Sequence, residues 1–311
     1  MVLERIGGGQ SNPTFFVSFD NRRLVLRKRP FGTLLPSAHA VDREFRVMNA
    51  LAGSRVPVPA MLLYHNDPDI VGTAFYVMER VEGRVFPDCS MPGVTTADRR
   101  EMMFSMADTL GALHRVDWRM AGLEGFGREG DFFGRQIARW TKQWRLSKTR
   151  EIPDMEALIA WLPKHVPDGQ SVAISHGDFR VGNLMFHPTE PRIVAVLDWE
   201  LSTLGHPLAD VAYSLLAWRL RPHEYMGMRG LDLDALGIPS EQEYLSRYSA
   251  AIGGNAPVTA FHIVFSLFRL AVIFEGIAAR AKSGMAASSN AAEVGRLSSV
   301  FARRAIDAIE G

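Results

Sequence analysis

The pattern of apolar residues changes near residue 80, and this asymmetry restricts the fold more than any other feature of the sequence. Segments 14–19 and 24–27 are rich in aromatic and β-branched residues, which predicts a β-hairpin. In residues 40–51 apolar side chains recur at helical spacing, and residues 74–78 again favour a strand. The first eighty residues are therefore predicted to be mainly β with one helix.

The rest of the chain is dominated by helical periodicity. Helices are predicted at 97–114, 132–146, 258–282 and 291–309. Residues 193–197 form a short apolar run that predicts a buried strand. A β-rich part followed by a larger helical part places the chain in the α+β class, with an N-terminal lobe over 1–80 and a C-terminal lobe over 81–311.

The residues with the clearest chemistry lie between 175 and 200. The sequence reads SHGDFRVGN over 175–183 and VLDWE over 196–200. Asp178 can accept the proton of a hydroxyl, while Asn183 and Asp198 can offer hard oxygen ligands to magnesium. Each of the three is common in turns or helix caps on its own. Together, at this spacing, they predict phosphoryl transfer.

Three further segments accompany this motif: GGGQSNPT over 7–14, LLPSAHAV over 34–41 and LGHPLAD over 204–210. With the motif they make the chain resemble the aminoglycoside phosphotransferase and choline kinase superfamily, relatives of the protein kinases. The closest likeness is to the kinase-like domain fused to certain acyl-CoA dehydrogenases. The resemblance covers essentially the whole chain and implies a protein-kinase-like two-lobed fold, with a small β-rich N-lobe and a large α-helical C-lobe.

The resemblance also implies a role for each residue of the motif. Asp178 is expected to be the catalytic base, and Asn183 and Asp198 the magnesium ligands. His176 is expected to hold the catalytic loop. Asp210 would bind backbone amides of that loop from the start of a helix, which is compatible with ordinary N-capping.

Two regions of the first lobe are expected to bind ATP. A glycine run lets backbone amides approach phosphate closely, although a simple turn fits it as well. The predicted contacts in and after this run are Gly8, Gly9, Ser11, Asn12 and Thr14. The run begins so near residue 1 that little chain is left for a preceding strand. At the junction of the lobes, the carbonyl of Glu79 and the amide of Val81 are expected to bind adenine.

A basic residue on the second hairpin strand is expected to hold the phosphates and to pair with a helix glutamate. Arg27 and Lys28 are both candidates, and strand alternation points them to opposite faces. We favour Arg27, with Glu44 as its partner. The alternative is that both basic side chains face solvent.

The acceptor is less constrained by the sequence. Residues 211–311 hold nearly equal numbers of acidic and basic side chains, unlike the acidic lobe that a polycationic aminoglycoside requires. His262 and Arg269 share a polar stripe on a predicted helix and, with Glu200, are candidate substrate contacts; an internal partner for the stripe is the alternative. A stripe facing the cleft favours an anionic or neutral hydroxyl compound, and the resemblance suggests a hydroxy acid or hydroxyacyl thioester.

The sequence therefore predicts an ATP- and magnesium-dependent kinase that transfers the γ-phosphate to a hydroxyl of a small molecule. A nucleotide-binding pseudokinase or interaction module is one alternative, and a true aminoglycoside kinase is another. The presence of Asp178, Asn183 and Asp198 together favours an active kinase. The charge balance of the second lobe argues against an aminoglycoside acceptor.

Composition argues against several other classes of protein. A net charge of +1 gives no strong field for nucleic acid or an anionic membrane. The longest apolar stretch, 261–279, is interrupted by Arg269 and Glu275, and residues 1–5 do not lead into a signal peptide. The single cysteine, Cys89, cannot form an internal disulfide and fits a reducing compartment. We therefore expect a cytoplasmic protein with a nucleotide and a small hydroxyl acceptor as ligands, and no obligate protein partner.

Overall fold

The computed structural model describes residues 2–7, 12–31, 40–169, 171–284 and 290–311. The strands of these residues are Val2–Arg5 (β1), Thr14–Phe19 (β2), Arg22–Lys28 (β3), Met61–His65 (β4), Phe75–Glu79 (β5), Arg84–Val85 (β6), Ala173–Ser175 (β7), Leu184–Phe186 (β8), Ile193–Val196 (β9) and Thr203–Gly205 (β10). The helices are Val41–Leu51 (α1), Thr96–His114 (α2), Phe132–Ser147 (α3), Pro153–Trp161 (α4), Pro207–Arg219 (α5), Pro222–Tyr225 (α6), Leu233–Leu236 (α7), Glu241–Ile252 (α8), Ala260–Lys282 (α9), Ala291–Gly295 (α10) and Leu297–Glu310 (α11).

The strands before residue 80 form one antiparallel sheet in the order β1-β2-β3-β5-β4. The hairpin β2–β3 pairs Thr14 with Arg27 and Phe19 with Arg22, which confirms the hairpin predicted from the sequence. Strand β1 pairs with β2 ahead of the glycine run. The short stretch before the run is enough for a strand, because four residues suffice to extend the edge of an existing hairpin.

Helix α1 packs against β4 and β5 through one apolar face. Val47 and Leu51 on this face are fully buried, and the Phe45 ring packs at a tilt against the rings of Tyr64 and Tyr76. The same helix also buries Glu44, which is 1% exposed. A carboxylate removed from water in this way needs strong partners, and those partners lie at the candidate site.

Helix α9 is the centre of the helical part, with α3, α5, α10 and α11 packed around it. Its aromatic residues form edge-to-face contacts with α3, where the ring of Phe133 lies 5.0 Å from that of Phe261 and 5.2 Å from that of Phe265. By length and hydropathy α9 could cross a membrane. However, 83% of its apolar window is buried inside the protein, as expected for a core helix.

Two small sheets hold the motif between residues 175 and 200. Strand β7 pairs with β10, and β8 pairs with both β6 and β9. The motif begins at the last residue of β7 and ends just before β8, while Asp198 follows β9 by two residues. The candidate catalytic residues therefore lie on short connections fixed at both ends by strands. Of these strands, the sequence predicted β9.

The predicted helix over 291–309 is divided into α10 and α11 at Arg296. At Gly295 an added Cβ would lie 2.5 Å from the Cβ of Ala278 on α9, so this residue permits a close approach of the two helices. Arg150 also donates to the Gly295 carbonyl at 2.8 Å. Tertiary contacts thus override local helical periodicity at this point.

Truncation of a core residue on α9 should be costly. We expect Phe268→Ala to lower the free energy of unfolding by about 3–5 kcal/mol, because the Phe268 side chain is completely buried. Urea denaturation measures this change. The control Leu146→Ala removes an apolar side chain that is 74% exposed, and it should change the free energy by less than about 0.5 kcal/mol. Equal costs for the two variants would contradict the placement of α9 at the core.

Candidate active site

A cavity of about 1000 Å³ lies between the sheet of the first part and the helical part. The first part contributes Asn12, Thr14, Arg27 and Glu44 to its wall, and the junction contributes Glu79–Val81. The helical part contributes Arg180, Asn183 and Asp198. Most of the residues selected from the sequence as a nucleotide and metal site therefore surround one space.

One buried carboxylate binds two successive amides of the loop that follows β7. Asp210 accepts hydrogen bonds from the backbone amides of His176, at 2.6 Å, and Gly177, at 2.8 Å. Burial raises the pKa of Asp210, but the neighbouring His114 and His176 and the Gly177 amide together bring this pKa below 3.8. Asp210 therefore stays ionised at neutral pH and fixes the main chain of the loop from the first turn of α5.

The ring of His176 joins this loop to the end of β9. Its Nδ1 accepts a hydrogen bond from the amide of Asp178 at 3.1 Å, so Nε2 is the nitrogen that carries a proton. Nε2 then donates to the carbonyl of Leu197 at 2.9 Å. His176 thus links the loop that carries Asp178 to the residue just before Asp198.

The carboxylate of Asp178 is held by donors from several directions. The hydroxyl of Tyr213 donates to Oδ1 at 2.5 Å, and Nδ2 of Asn183 donates to Oδ2 at 2.7 Å. Nε of Arg180 lies 3.3 Å from the same Oδ2. Neither Tyr213 nor Arg180 was predicted from the sequence. Tyr213 could have been found, because it lies three residues after Asp210 and so on the same face of α5.

Asn183 and Asp198 are brought together by the main chain. The Leu197 amide donates to the Asn183 carbonyl at 2.8 Å. The side-chain amide of Asn183 is oriented by donation from Nδ2 to Asp178, which turns its Oδ1 to the other side. Asp198 has φ 63°, a left-handed conformation that is rare outside glycine and is concentrated at functional sites.

The donor set suits magnesium. Across the described residues no cluster of three or more His, Cys, Asp or Glu side chains could hold a metal alone. An ion between Asn183 and Asp198 would thus take further oxygens from a bound molecule or from water. Magnesium is commonly bound in this way, through one or two protein oxygens together with phosphates.

Arg27 bridges the two parts of the molecule. Its Nε lies 2.9 Å from Glu44, and its Nη2 lies 3.0 Å from Oδ1 of Asp198. Glu44 also accepts from Asn12 at 2.6 Å and from Tyr76 at 3.0 Å, which supplies the partners that its burial requires. Burial lowers the pKa of Arg27, but the carboxylates around it raise the pKa above its ordinary value. Arg27 therefore remains a cation at the cavity wall.

Lys28 faces away from this site. Its Nζ donates to the carbonyl of Val71 and lies 4.0 Å from the centre of the Phe31 ring. Arg27 and Lys28 thus occupy opposite faces of β3, in keeping with strand alternation. Of the two sequence candidates for a phosphate contact, Arg27 is the one that lines the cavity.

The other residues predicted to bind the nucleotide fall into two groups. Asn12, Thr14 and the junction residues Glu79 and Val81 line the cavity. Gly8, Gly9 and Ser11 lie outside the described residues.

None of the three predicted acceptor contacts, Glu200, His262 and Arg269, lines the cavity. His262 is 2% exposed, and its Nδ1 accepts from the Thr259 amide at the start of α9, so its burial contradicts a substrate contact. Arg269 donates to the carbonyl of Gly177 and therefore holds the main chain of the loop in place. The polar stripe of α9 is thus an internal one. Glu200 follows Asp198 in a short 3₁₀ turn, where its charge acts on Arg27.

Comparison with known proteins identifies one family and a set of longer relatives. A model described as the phosphotransferase enzyme family matches residues 2–240. Acyl-CoA dehydrogenase family member 10 of Mus musculus is 46% identical over 99% of the chain and 29% of its own length. Acyl-CoA dehydrogenase family member 11 of Rattus norvegicus is 43% identical over 90% of the chain and 36% of its own length. The chain thus spans about a third of the curated relatives that it matches.

Solved structures share the fold. A protein of Ralstonia eutropha JMP134, provisionally classed as an aminoglycoside phosphotransferase, superposes with a TM-score of 0.92 at 43% identity, covering 99% of this chain and 92% of that one. The aminoglycoside phosphotransferase APH(4)-Ia, at 16% identity, gives a TM-score of 0.65 and covers 97% and 94% of the two chains. These similarities confirm the predicted two-lobed, protein-kinase-like fold.

Removal of the Asp210 charge should destabilise the protein. Asp210→Asn keeps the size of the side chain but replaces one acceptor oxygen by an NH2 donor, which leaves one of the two loop amides without an acceptor. We expect the free energy of unfolding at pH 7 to fall by about 3 kcal/mol, as measured by urea denaturation. The exposed Asp234→Asn is the control, with an expected change below about 0.5 kcal/mol.

The same pair of proteins gives a test in acid. The pKa of Asp210 is lower in the folded state than its ordinary value of 3.8. The ionised side chain therefore contributes its full stabilisation above pH 3.8, and this stabilisation is lost as the pH falls through the folded-state pKa. The difference in the free energy of unfolding between the parent and Asp210→Asn should therefore narrow as the pH falls through the folded-state pKa of Asp210. A difference that stays constant into strong acid would contradict the assignment of Asp210 as an ionised acceptor.

Proposed function

Because this chain belongs to the phosphotransferase enzyme family, we propose that it is an ATP-dependent kinase that phosphorylates a hydroxyl of a small molecule. Family membership confirms the resemblance inferred from the sequence and supports the coarser assignment of a kinase-like phosphotransferase. One observation carries the finer proposal. Asn183 and Asp198 line a cavity that also holds the Arg27–Glu44 ion pair, and Asn183 is hydrogen-bonded to Asp178.

In this proposal the nucleotide lies along the cavity from the junction to Arg27. Glu79 and Val81 offer main-chain groups to adenine, and Arg27 binds the α- and β-phosphates. Asn12 and Thr14 line the same wall. APH(4)-Ia, which shares the fold, has been solved in a ternary complex with AMP-PNP and hygromycin B. That complex supports a nucleotide and an acceptor as the two ligands here.

Asn183 and Asp198 would hold magnesium, which when bound neutralises negative charge on the nucleotide phosphates. Their own arrangement supports this role. The amide oxygen of Asn183 is turned away from Asp178, and Asp198 is held in a rare backbone conformation next to Arg27.

Asp178 is assigned to the acceptor. The acceptor oxygen forms a bond to the γ-phosphorus, the bond from that phosphorus to the β–γ bridging oxygen breaks, and ADP leaves. The proton of the acceptor hydroxyl passes to the carboxylate of Asp178. Tyr213 and Asn183 hold this carboxylate in a fixed orientation, which suits a residue that positions the hydroxyl and takes its proton late.

For the acceptor we propose a hydroxy acid or a hydroxyacyl thioester. The relatives that contain a segment like this chain are named acyl-CoA dehydrogenase family members, so the rest of those proteins is expected to handle acyl thioesters. Charge agrees with this choice. Among the described residues that line the cavity, arginines equal carboxylates in number, which disfavours a polycationic aminoglycoside. A cytoplasmic location is part of the same proposal, because Cys89 is a buried free thiol.

An acceptor screen tests the proposal. ATP consumption is measured over hydroxyacyl thioesters, hydroxy acids and aminoglycosides, with the parent protein and Asp178→Asn side by side. On the preferred acceptor, Asp178→Asn should lower kcat by roughly a hundred- to ten-thousand-fold and leave the nucleotide Kd nearly unchanged. A variant that keeps its kcat would refute the role of Asp178. Nucleotide binding without turnover of any compound would favour a pseudokinase.

The phosphate contact has a matched control in the adjacent residue. Arg27→Ala should raise the Kd for magnesium–ATP by about tenfold or more, since hydrogen bonds to charged groups contribute about 1.5–3 kcal/mol. Lys28→Ala should leave this Kd within about twofold, because Lys28 faces away from the cavity. Calorimetry gives both values, and thermal melting separates a lost contact from a lost fold. The opposite ranking would contradict the assignment of Arg27.

A further inference from the structure

Arg180 lies where the proposed base meets the proposed nucleotide site. Its Nε is 3.3 Å from Oδ2 of Asp178, and its side chain is 28% exposed. It also lines the large cavity together with Asn183 and Asp198. No role has yet been assigned to this cation, although it contacts Asp178 and lines the cavity proposed for the nucleotide.

A strained turn fixes the position of this guanidinium. Tyr225 has φ 131° and Met226 has φ 51°, values that residues with a side chain rarely adopt. The turn brings Sδ of Met226 to 3.0 Å from Nη1 of Arg180 and the Tyr225 ring to 5.9 Å from its guanidinium carbon. Backbone strain of this kind persists where the surroundings require it, and it is concentrated at functional sites.

The loop itself makes room for Arg180. At Gly182 an added Cβ would lie 2.4 Å from Nη1 of Arg180 and 3.2 Å from the Cε of Met226. The guanidinium therefore lies across the backbone immediately before Asn183. A side chain at position 182 would push Arg180 away from the proposed metal ligand.

The charge of Arg180 is not required to orient the base. Tyr213 and Asn183 already donate to Asp178 at 2.5 and 2.7 Å, both shorter than the 3.3 Å contact of Arg180. Burial lowers the pKa of Arg180, but Asp178 and the two nearby tyrosines raise the pKa above its ordinary value, so the side chain remains charged. A permanent cation with a long, replaceable ion pair is well suited to bind an incoming phosphate.

We propose that Arg180 is an additional catalytic residue whose guanidinium binds the γ-phosphate of the nucleotide. The inference rests on the kinase function proposed above. Moving to the phosphate withdraws Arg180 from Oδ2 of Asp178, so the same step that secures the nucleotide opens this oxygen to the acceptor hydroxyl. The ion pair thus couples nucleotide binding to exposure of the base. On the opposite wall, Arg27 neutralises the other phosphates.

Comparison of two nucleotides isolates the contact to the γ-phosphate. The affinities of AMP-PNP and of ADP, each with magnesium, are measured by calorimetry for the parent and for Arg180→Gln. The variant should bind AMP-PNP about tenfold more weakly or worse, because a charge-assisted contact is lost, while its affinity for ADP should stay within about twofold. Arg180→Lys keeps the charge and should recover part of the AMP-PNP affinity.

Arg192→Gln is the control, because Arg192 pairs with Glu190 on the surface and should leave both affinities unchanged. If Arg180→Gln weakens AMP-PNP and ADP equally, or neither of them, the assignment to the γ-phosphate is overturned. If the parent protein binds neither nucleotide, the kinase function fails and this inference fails with it. These outcomes separate an error about Arg180 from an error about the function.

Discussion

The structure depends on the ion pairs of Arg27, which contacts one carboxylate from each part of the molecule. Glu44 belongs to the helix packed on the sheet, and Asp198 follows a strand of the helical part. Glu44 is almost completely buried, so removal of Arg27 would leave a charge without its cation, a change that typically costs about 3–5 kcal/mol. The arrangement therefore holds the two walls of the cavity at a defined separation. It also keeps a positive charge beside the proposed metal ligand.

The helical part fixes the reactive groups through the backbone rather than through large side-chain contacts. Asp210 binds two successive amides of the loop, His176 ties that loop to the end of β9, and Arg269 holds the Gly177 carbonyl. Asp210 and Arg269 lie well outside the loop, and the ring of His176 reaches the main chain of Leu197. The loop is consequently held at several points even though it contains little regular structure. Such anchoring favours positioning, which is most of what phosphoryl transfer requires from a protein.

Much of this site could be predicted from the sequence because its signal is local. The spacing of Asp178, Asn183 and Asp198 placed them on connected segments, and strand alternation separated Arg27 from Lys28. Helical spacing also showed that His262 and Arg269 share a face, but periodicity does not reveal what a face contacts. The structure turns that stripe inward, toward Thr259 and the loop.

What could not be predicted depends on contacts that are distant in the chain. Tyr213 meets Asp178 across 35 positions, and Met226 meets Arg180 across 46. The strands β6, β7, β8 and β10 span two or three residues each, too few for an alternating pattern to show. The break between α10 and α11 likewise reflects the close approach of Gly295 to α9 rather than a local signal.

The pairing of β6 with β8 gives the connection between the two parts a mechanical role. The chain leaves the large sheet at Glu79, and by Arg84 it is already hydrogen-bonded to the strand that follows Asn183. At Gly83 an added Cβ would lie 2.4 Å from the Cγ of Met185 and 2.6 Å from the Phe186 carbonyl oxygen. The backbone at residue 83 is therefore packed tightly against β8. Residues 80–83 are therefore the short covalent link between the large sheet and β6. Val85 pairs with Met185, two residues after Asn183, so this link leads into a strand that is hydrogen-bonded to the one continuing from a proposed metal ligand.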